Sequence, residues 1–219
     1  MPRALFQKKG NAIYISHLDL MRLFQRAFKR AGLPLTHTQG FNPRPSVSIA
    51  LPLSLGTESY CELLDFDLEG ENISCDEIAR RLNDGLVEGI QVLSVYEDGQ
   101  KLKHLAYLDC ILTMEYDAGI PENAEAQILQ LFRQDTLCVE KKNKNGTVEQ
   151  NILPMILSLS AIRDNPQELS LSARICCQNP SLNPMQLSAA IGKYLPHLKP
   201  DYVRCCRLEI YDHNQEVFR

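Results

Sequence analysis

The sequence predicts an α+β protein. A ferredoxin-like β-α-β-β-α-β domain is expected over residues 1–98, and a second α+β domain, whose element order also admits the ferredoxin-like plan, over 106–219. Three observations carry this. Two amphipathic helical stretches in the first half end in sharp stop signals. The strand runs around them are joined by turn chemistry. The polar joint EDGQKLKHL (97–105) then separates them from a second run of strands and helices.

Residues 3–9 and 11–15 read as an extended, partly apolar stretch broken by a turn at Gly10. Ser16-His17-Leu18-Asp19 has the form of a capping box. The Ser16 hydroxyl can accept a bond from the third helical N–H, while Asp19 reaches back and also favours the positive helix end. Leu20, Leu23, Phe24, Ala27, Phe28 and Ala31 recur at three- and four-residue spacing, the core face of a helix that Gly32 and Pro34 stop. After a loop rich in Gly, Pro and Asn (39–46), VSIALPLSL and YCELLDFDL read as strands joined by Gly56-Thr57-Glu58-Ser59. Ser74 or Asp76 opens the helix EIARRLNDGL, which ends near Gly85, and IQVLSVYE closes the domain as a strand. The second half offers a strand (106–116), a helix (122–134), a strand (136–142) and a turn at KKNKNG. The strands ILPMILSLS and ELSLSARICC, a helix (184–195) and the strand VRCCRLEIYD follow. No residue-level repeat relates the halves, so a duplication rests on element order alone.

Hydrophobic content of 44% and charged content of 23% are ordinary for a globular chain. No run nears the ~18 apolar residues that span a bilayer. The start, MPRALFQKKGNAIYIS, lacks the apolar core and small-residue cleavage site of a signal peptide. Cytoplasmic residence and no membrane partner are therefore expected. The eight cysteines lie in apolar, strand-like surroundings and read as buried free thiols. The vicinal pairs Cys176-Cys177 and Cys205-Cys206 each send one thiol inward and one outward, which admits a thiol pair across strands. The chain has no CxxxCxxC, GxGxxG, GxxxxGK[ST], HExxH or paired CxxC. A radical-enzyme iron–sulfur loop, the two common phosphate loops and a spaced zinc motif are thus excluded, and no metal and no cofactor are expected.

Charge is distributed unevenly. Net charge is −4, yet residues 1–50 hold eight Lys/Arg (Arg3, Lys8, Lys9, Arg22, Arg26, Lys29, Arg30, Arg44) against the single acid Asp19. Everything after them holds 15 basic and 26 acidic residues. Asp19, Arg22, Arg26, Lys29 and Arg30 fall on the helix stripe opposite the apolar one, with Lys8, Lys9 and Arg44 in flanking segments. Such a cluster suits phosphate contacts through counterion release. In the loop Gln39-Gly40-Phe41-Asn42-Pro43-Arg44-Pro45 the prolines stiffen the chain, so Phe41 beside Arg44 can stack a base and hold a phosphate. Equally, Phe41 can plug the core under the helix. His17, at a helix start, is the alternative catalytic candidate, as a base near a bound phosphate; its competing role is capping or packing. His37 with Glu58 and Glu62 makes no spaced metal motif.

The segment from Lys8 to Leu68 resembles the opening of the radical-SAM-linked (DUF2344) family: a Gly after basic residues, SHLD, an Arg-rich helix, GFNP and a Gly-x-x-Ser-x-x-Glu turn and strand. The matching positions are Gly10, Ser16, His17, Leu18, Asp19, Arg22, Arg26, Gly40, Phe41, Asn42, Pro43, Gly56, Ser59 and Glu62. Ala106-Tyr107 and KKNKNG fit its later part, while Asn151 stands near where the family carries an Asp. The resemblance implies an accessory protein that partners a radical-SAM protein in RNA metabolism. The leading expectation is a non-catalytic module that binds tRNA or rRNA through Lys8, Lys9, Arg22, Arg26, Lys29, Arg30, Phe41 and Arg44. The alternatives are a metal-independent, ferredoxin-like endoribonuclease using His17, and a protein-only docking scaffold.

Overall fold

A computed structural model describes residues 1–70, 73–143 and 146–219. It is an α+β protein with four α-helices among the described residues. The chain divides into two compact units, Met1–Leu102 with Arg219, and Lys103–Phe218.

In the first unit, β1 (Arg3–Lys8) leads through a 3₁₀ turn (Gly10–Tyr14) into α1 (His17–Arg30). There follow β2 (Val47–Ile49), β3 (Thr57–Phe66), α2 (Cys75–Gly85) and β4 (Ile90–Tyr96). The strands lie in the order β4-β1-β3, with β2 also on β3. All three pairings are antiparallel, Ala4 of β1 and Ile49 of β2 both facing Leu64. Strand alternation puts Ala4, Phe6, Leu64, Phe66, Ile90 and Val92 in one core with Leu20, Phe24, Ala27 and Phe28 of α1 and Ile78 and Leu82 of α2. Phe6 meets Phe24 edge-on at 4.8 Å, and Phe28 meets Phe66 at 4.9 Å. Each ring pair adds about 0.5–1.5 kcal/mol to what its buried area contributes.

Two expectations change here. Residues 11–14 are not extended, although Ile15 is. Gly10 takes a φ of +56°, and the Lys8 ammonium gathers the carbonyls of Ile13 and Ile15, so the chain coils into a 3₁₀ turn. The strand expected over VSIALPLSL is only three residues long. Ala50 still donates to the Leu63 carbonyl, but Pro52 has no N–H with which to go on. Thr57–Ser59, expected as turn, already belong to β3.

The second unit comprises β5 (Leu105–Glu115), α3 (Ala124–Leu131), β6 (Cys138–Asn143), β7 (Gly146–Asn151) and a 3₁₀ turn (Leu153–Met155). β8 (Ile156–Arg163), β9 (Glu168–Cys176), α4 (Met185–Tyr194) and β10 (Tyr202–Asp212) complete it. Its strand order is β10-β5-β9-β8, antiparallel throughout, and β6 and β7 form a separate hairpin. Of KKNKNG, expected as a turn, Lys141, Lys142 and Asn143 belong to β6 and Gly146 to β7, while Lys144 and Asn145 lie outside the described residues. Polar β7 owes its extended form to pairing with β6 rather than to an apolar face. In both units the first strand lies between the last and the last but one.

None of the eight cysteines forms a disulfide. Cys61, Cys110, Cys177 and Cys205 are buried. Burial pushes Cys177 up to about 12 and Cys205 up to about 11, which leaves both as inert protonated thiols. One thiol of each vicinal pair is indeed the more buried. No thiol pair joins Cys176-Cys177 to Cys205-Cys206, because β5 runs between their strands.

Candidate nucleic-acid interface

The site begins at the cap of α1. Ser16 Oγ accepts from the Asp19 N–H at 3.2 Å and donates to Asp19 Oδ2 at 2.7 Å. The Ser16 hydroxyl, then the Arg22 guanidinium, holds the Asp19 carboxyl below its ordinary range. His17 is the first helical residue, half-exposed, and Arg22 pairs with Asp19 at 3.0 Å. Arg30 donates to the Gly85 carbonyl at the end of α2. The side chains of Lys9, Arg26, Lys29 and Arg44 are exposed and make no hydrogen bond or ion pair among the described residues.

Lys8 corrects the expected set. It is 1% exposed, with Nζ 3.1 Å from the Ile13 carbonyl and 2.8 Å from that of Ile15. Burial lowers its pKa from 10.5, opposed in part by the charge of Glu62. Its ammonium is used inside the protein and is withdrawn from any phosphate. Alternation explains this: Ala4, Phe6 and Lys8 share the inward face of β1.

The motif residues Gly10, Gly56, Ser59 and Glu62 lie around Lys8 and the 3₁₀ turn. Glu62 and Ser59 are buried on β3, and Ser59 Oγ accepts from the Cys61 N–H at 3.3 Å. Gly56 donates to the Ile13 carbonyl at 3.0 Å, and Gly10 to Glu58 at 3.2 Å. Gly89 closes the turn from the other side. Its carbonyl receives the Lys9 N–H at 2.8 Å, and a Cβ there would sit 2.3 Å from the Lys9 oxygen. These residues fix where α1 begins and so where its cations stand.

The GFNPRP segment forms the tip of a short ribbon. Thr38 donates to the Arg44 carbonyl at 2.8 Å, Ser46 to that of Thr36 at 2.7 Å, and the Arg44 N–H to Thr38 Oγ1 at 3.0 Å. Thr36 and Asp67 tie the ribbon to the end of β3. Gly40 takes a φ of +141°, a region open to glycine. Gln39 through Arg44 are all exposed, and Phe41 is fully so; it does not plug the core. His37 lies 4.0 Å from Glu69, both exposed.

Sequence reading missed how the other cations are spent. On α2, Glu77 takes Arg80 at 2.8 Å and Arg81 at 2.6 Å, and Asp84 takes Arg80 at 3.1 Å. In the second unit Arg163 pairs with Glu125, Arg174 with Asp109, Lys193 with Glu149, and Arg204 with Glu115 and Glu168. The signal for α2 was legible as i,i+3 and i,i+4 spacing. The cross-strand pairs were not, because they depend on register. Among the described residues no group of three or more His, Cys, Asp or Glu is placed to hold a metal. Among the same residues, no helix is long and apolar enough to cross a membrane.

A family model described as "Uncharacterized protein conserved in bacteria (DUF2344)" matches residues 2–184. No curated protein matches the chain. Of the solved structures, a chain in a "Crystal Structure of a Cbf5-Nop10-Gar1 Complex" is similar at 6% identity and a TM-score of 0.52, over 95% of this chain and 48% of that one. The chain thus spans about half the length of that relative, and the likeness is one of fold. A second, an "Unknown Protein from Galdieria sulphuraria", matches at 8% identity over 94% of this chain and 96% of that one, with a TM-score of 0.27.

Proposed function

The chain belongs to the DUF2344 family, and we propose that it is a cytoplasmic, non-catalytic accessory module that holds an RNA, tRNA or rRNA, for a radical-SAM enzyme. The RNA lies along the outer stripe of α1, against Arg22, Arg26, Lys29 and Arg30, with Lys9, Arg44 and Phe41 at its margins. The partner enzyme rests on the resemblance of the Gly10–Glu62 segment; the RNA rests on one observation. Arg80 and Arg81 of α2, and Arg163, Arg174, Lys193 and Arg204 of the second unit, are matched by nearby carboxylates, whereas Arg26, Lys29, Lys9 and Arg44 are left to solvent among the described residues. A stripe of four cations in which only Arg22 meets a carboxylate among the described residues, in a chain of net charge −4, suits counterion release. The strand order of each unit's sheet, with its first strand between its last and its last but one, favours the ferredoxin-like reading of both.

Mobility shift of tRNA and rRNA fragments tests this. Binding is expected at low salt, with a loss of about tenfold or more in the Arg22→Glu/Arg26→Glu variant. No shift at low salt, or an unchanged one in that variant, overturns it. Co-purification with a radical-SAM protein in high salt, free of nucleic acid, would point instead to the protein-only scaffold.

A further inference from the structure

Resting on the RNA-binding reading above, we infer that the RNA segment held by α1 is single-stranded, its unpaired bases stacked on two rings, Tyr14 and Phe41, at the two ends of the helix. Phe41 has no packing role: it is fully exposed at the tip of the ribbon that follows α1. The opposite end is also unusually apolar. Tyr14 is 63% exposed, Leu18 67% and Leu55 63%. The Gly56–Ile13 hydrogen bond draws Leu55 to the same end as Tyr14 and Leu18. Single exposed apolar residues are ordinary, but these flank the basic stripe of α1.

The stripe connects them. At 100° per residue Leu18, Arg22, Arg26 and Lys29 fall on one side of α1, opposite the buried Leu20, Phe24 and Ala27. The 14 residues of the helix span about 21 Å. A ring at each end with guanidinium and ammonium groups between is the pattern of single-strand binders, whose sites take about 4–16 nucleotides. Paired bases would offer neither ring a face, since an A-form duplex presents only phosphates, riboses and a shallow groove.

The test compares an oligoribonucleotide of about 12 nucleotides, free of self-complementarity, with the same strand annealed to its complement. Fluorescence anisotropy reads the affinities of the full chain and of Phe41→Ala, Phe41→Trp, Tyr14→Ala and Tyr14→Phe. Tighter binding of the single strand is expected. Each alanine variant should lose about 5- to 100-fold on it and little on the duplex, while Phe41→Trp and Tyr14→Phe retain affinity. Circular dichroism should be unchanged for Phe41→Ala, which touches no core. Equal or tighter duplex binding overturns the inference and leaves the RNA reading standing. So does an Arg22→Glu/Arg26→Glu loss with no loss in the alanine variants. Absence of binding to either probe at low salt removes the RNA reading itself.

Discussion

Replacing Lys8 with methionine tests how the start of α1 is held. The substitution keeps the length of the stem but removes the ammonium that donates to Ile13 and Ile15 at 3.1 and 2.8 Å. Each charged hydrogen bond contributes about 1.5–3 kcal/mol, and two half-buried carbonyls lose that donor, although Ile13 keeps the Gly56 N–H. Glu62, also buried, loses the nearby cation. Relief of the ammonium's own desolvation offsets part of this, so the net loss is about 3 kcal/mol, the range for breaking a buried pair from one side. Urea unfolding followed by circular dichroism gives the total. Hydrogen exchange of the amides in residues 10–20 locates it. Adding Glu62→Met should recover part of the loss, because the buried carboxylate near the lost ammonium goes with it. The pH dependence has a definite sign. Burial holds the folded-state pKa of Lys8 below 10.5, so in the window between the two values the unfolded chain binds more protons. Stability from this group therefore rises as pH rises through that window, and the rise is missing in Lys8→Met. A loss under about 1 kcal/mol, with unchanged exchange in residues 10–20, would refute the reasoning.

Two further outcomes are expected. Glu77, held by the Arg80 and then the Arg81 guanidinium, should titrate near 2 by carbon NMR, and its pairs should persist above the ordinary 4.5 and dissolve as pH falls toward that midpoint; a midpoint at the ordinary value would mean the two arginines are mostly solvated. Asn151 Oδ1 accepts from the N–H groups of Leu137 at 2.9 Å and Leu153 at 3.3 Å, a task that an aspartate oxygen performs equally well. Asn151→Asp should thus change stability by less than about 0.5 kcal/mol and Asn151→Ala cost about 1–2; equal losses in thermal unfolding would contradict this.

What was legible depended on whether the signal was local. The period of Leu20, Phe24, Ala27 and Phe28, the Ser16 cap and Gly32 are local, and α1 was found to within a residue. The helix α2 was found to within two residues, its cap being Ser74 of the two candidates Ser74 and Asp76. The 3₁₀ turn at Gly10–Tyr14 was not found, because Ile13 and Ile15 alternate like strand residues and the group that coils them is Lys8, contributed by β1. Lys8 itself was misplaced for a correctable reason. Counted as charge it joins Lys9, but counted by strand parity it joins Phe6. Phe41 needed the ribbon bonds between Thr36–Thr38 and Arg44–Ser46, which no propensity reveals, to decide between core and surface. The neutralisation of Arg174 and Arg204 depends on sheet register and so was invisible in the sequence.

The central claim is that the α1 stripe meets phosphates, and the salt dependence of RNA affinity measures this most directly. Anisotropy of a labelled single strand across a salt series should give a log–log slope of about −3, as expected for four or five phosphate contacts at about 0.7 each. Arg26→Gln and Lys29→Gln should each flatten that slope by roughly 0.7. A flat dependence, or the same slope after both substitutions, would contradict the account.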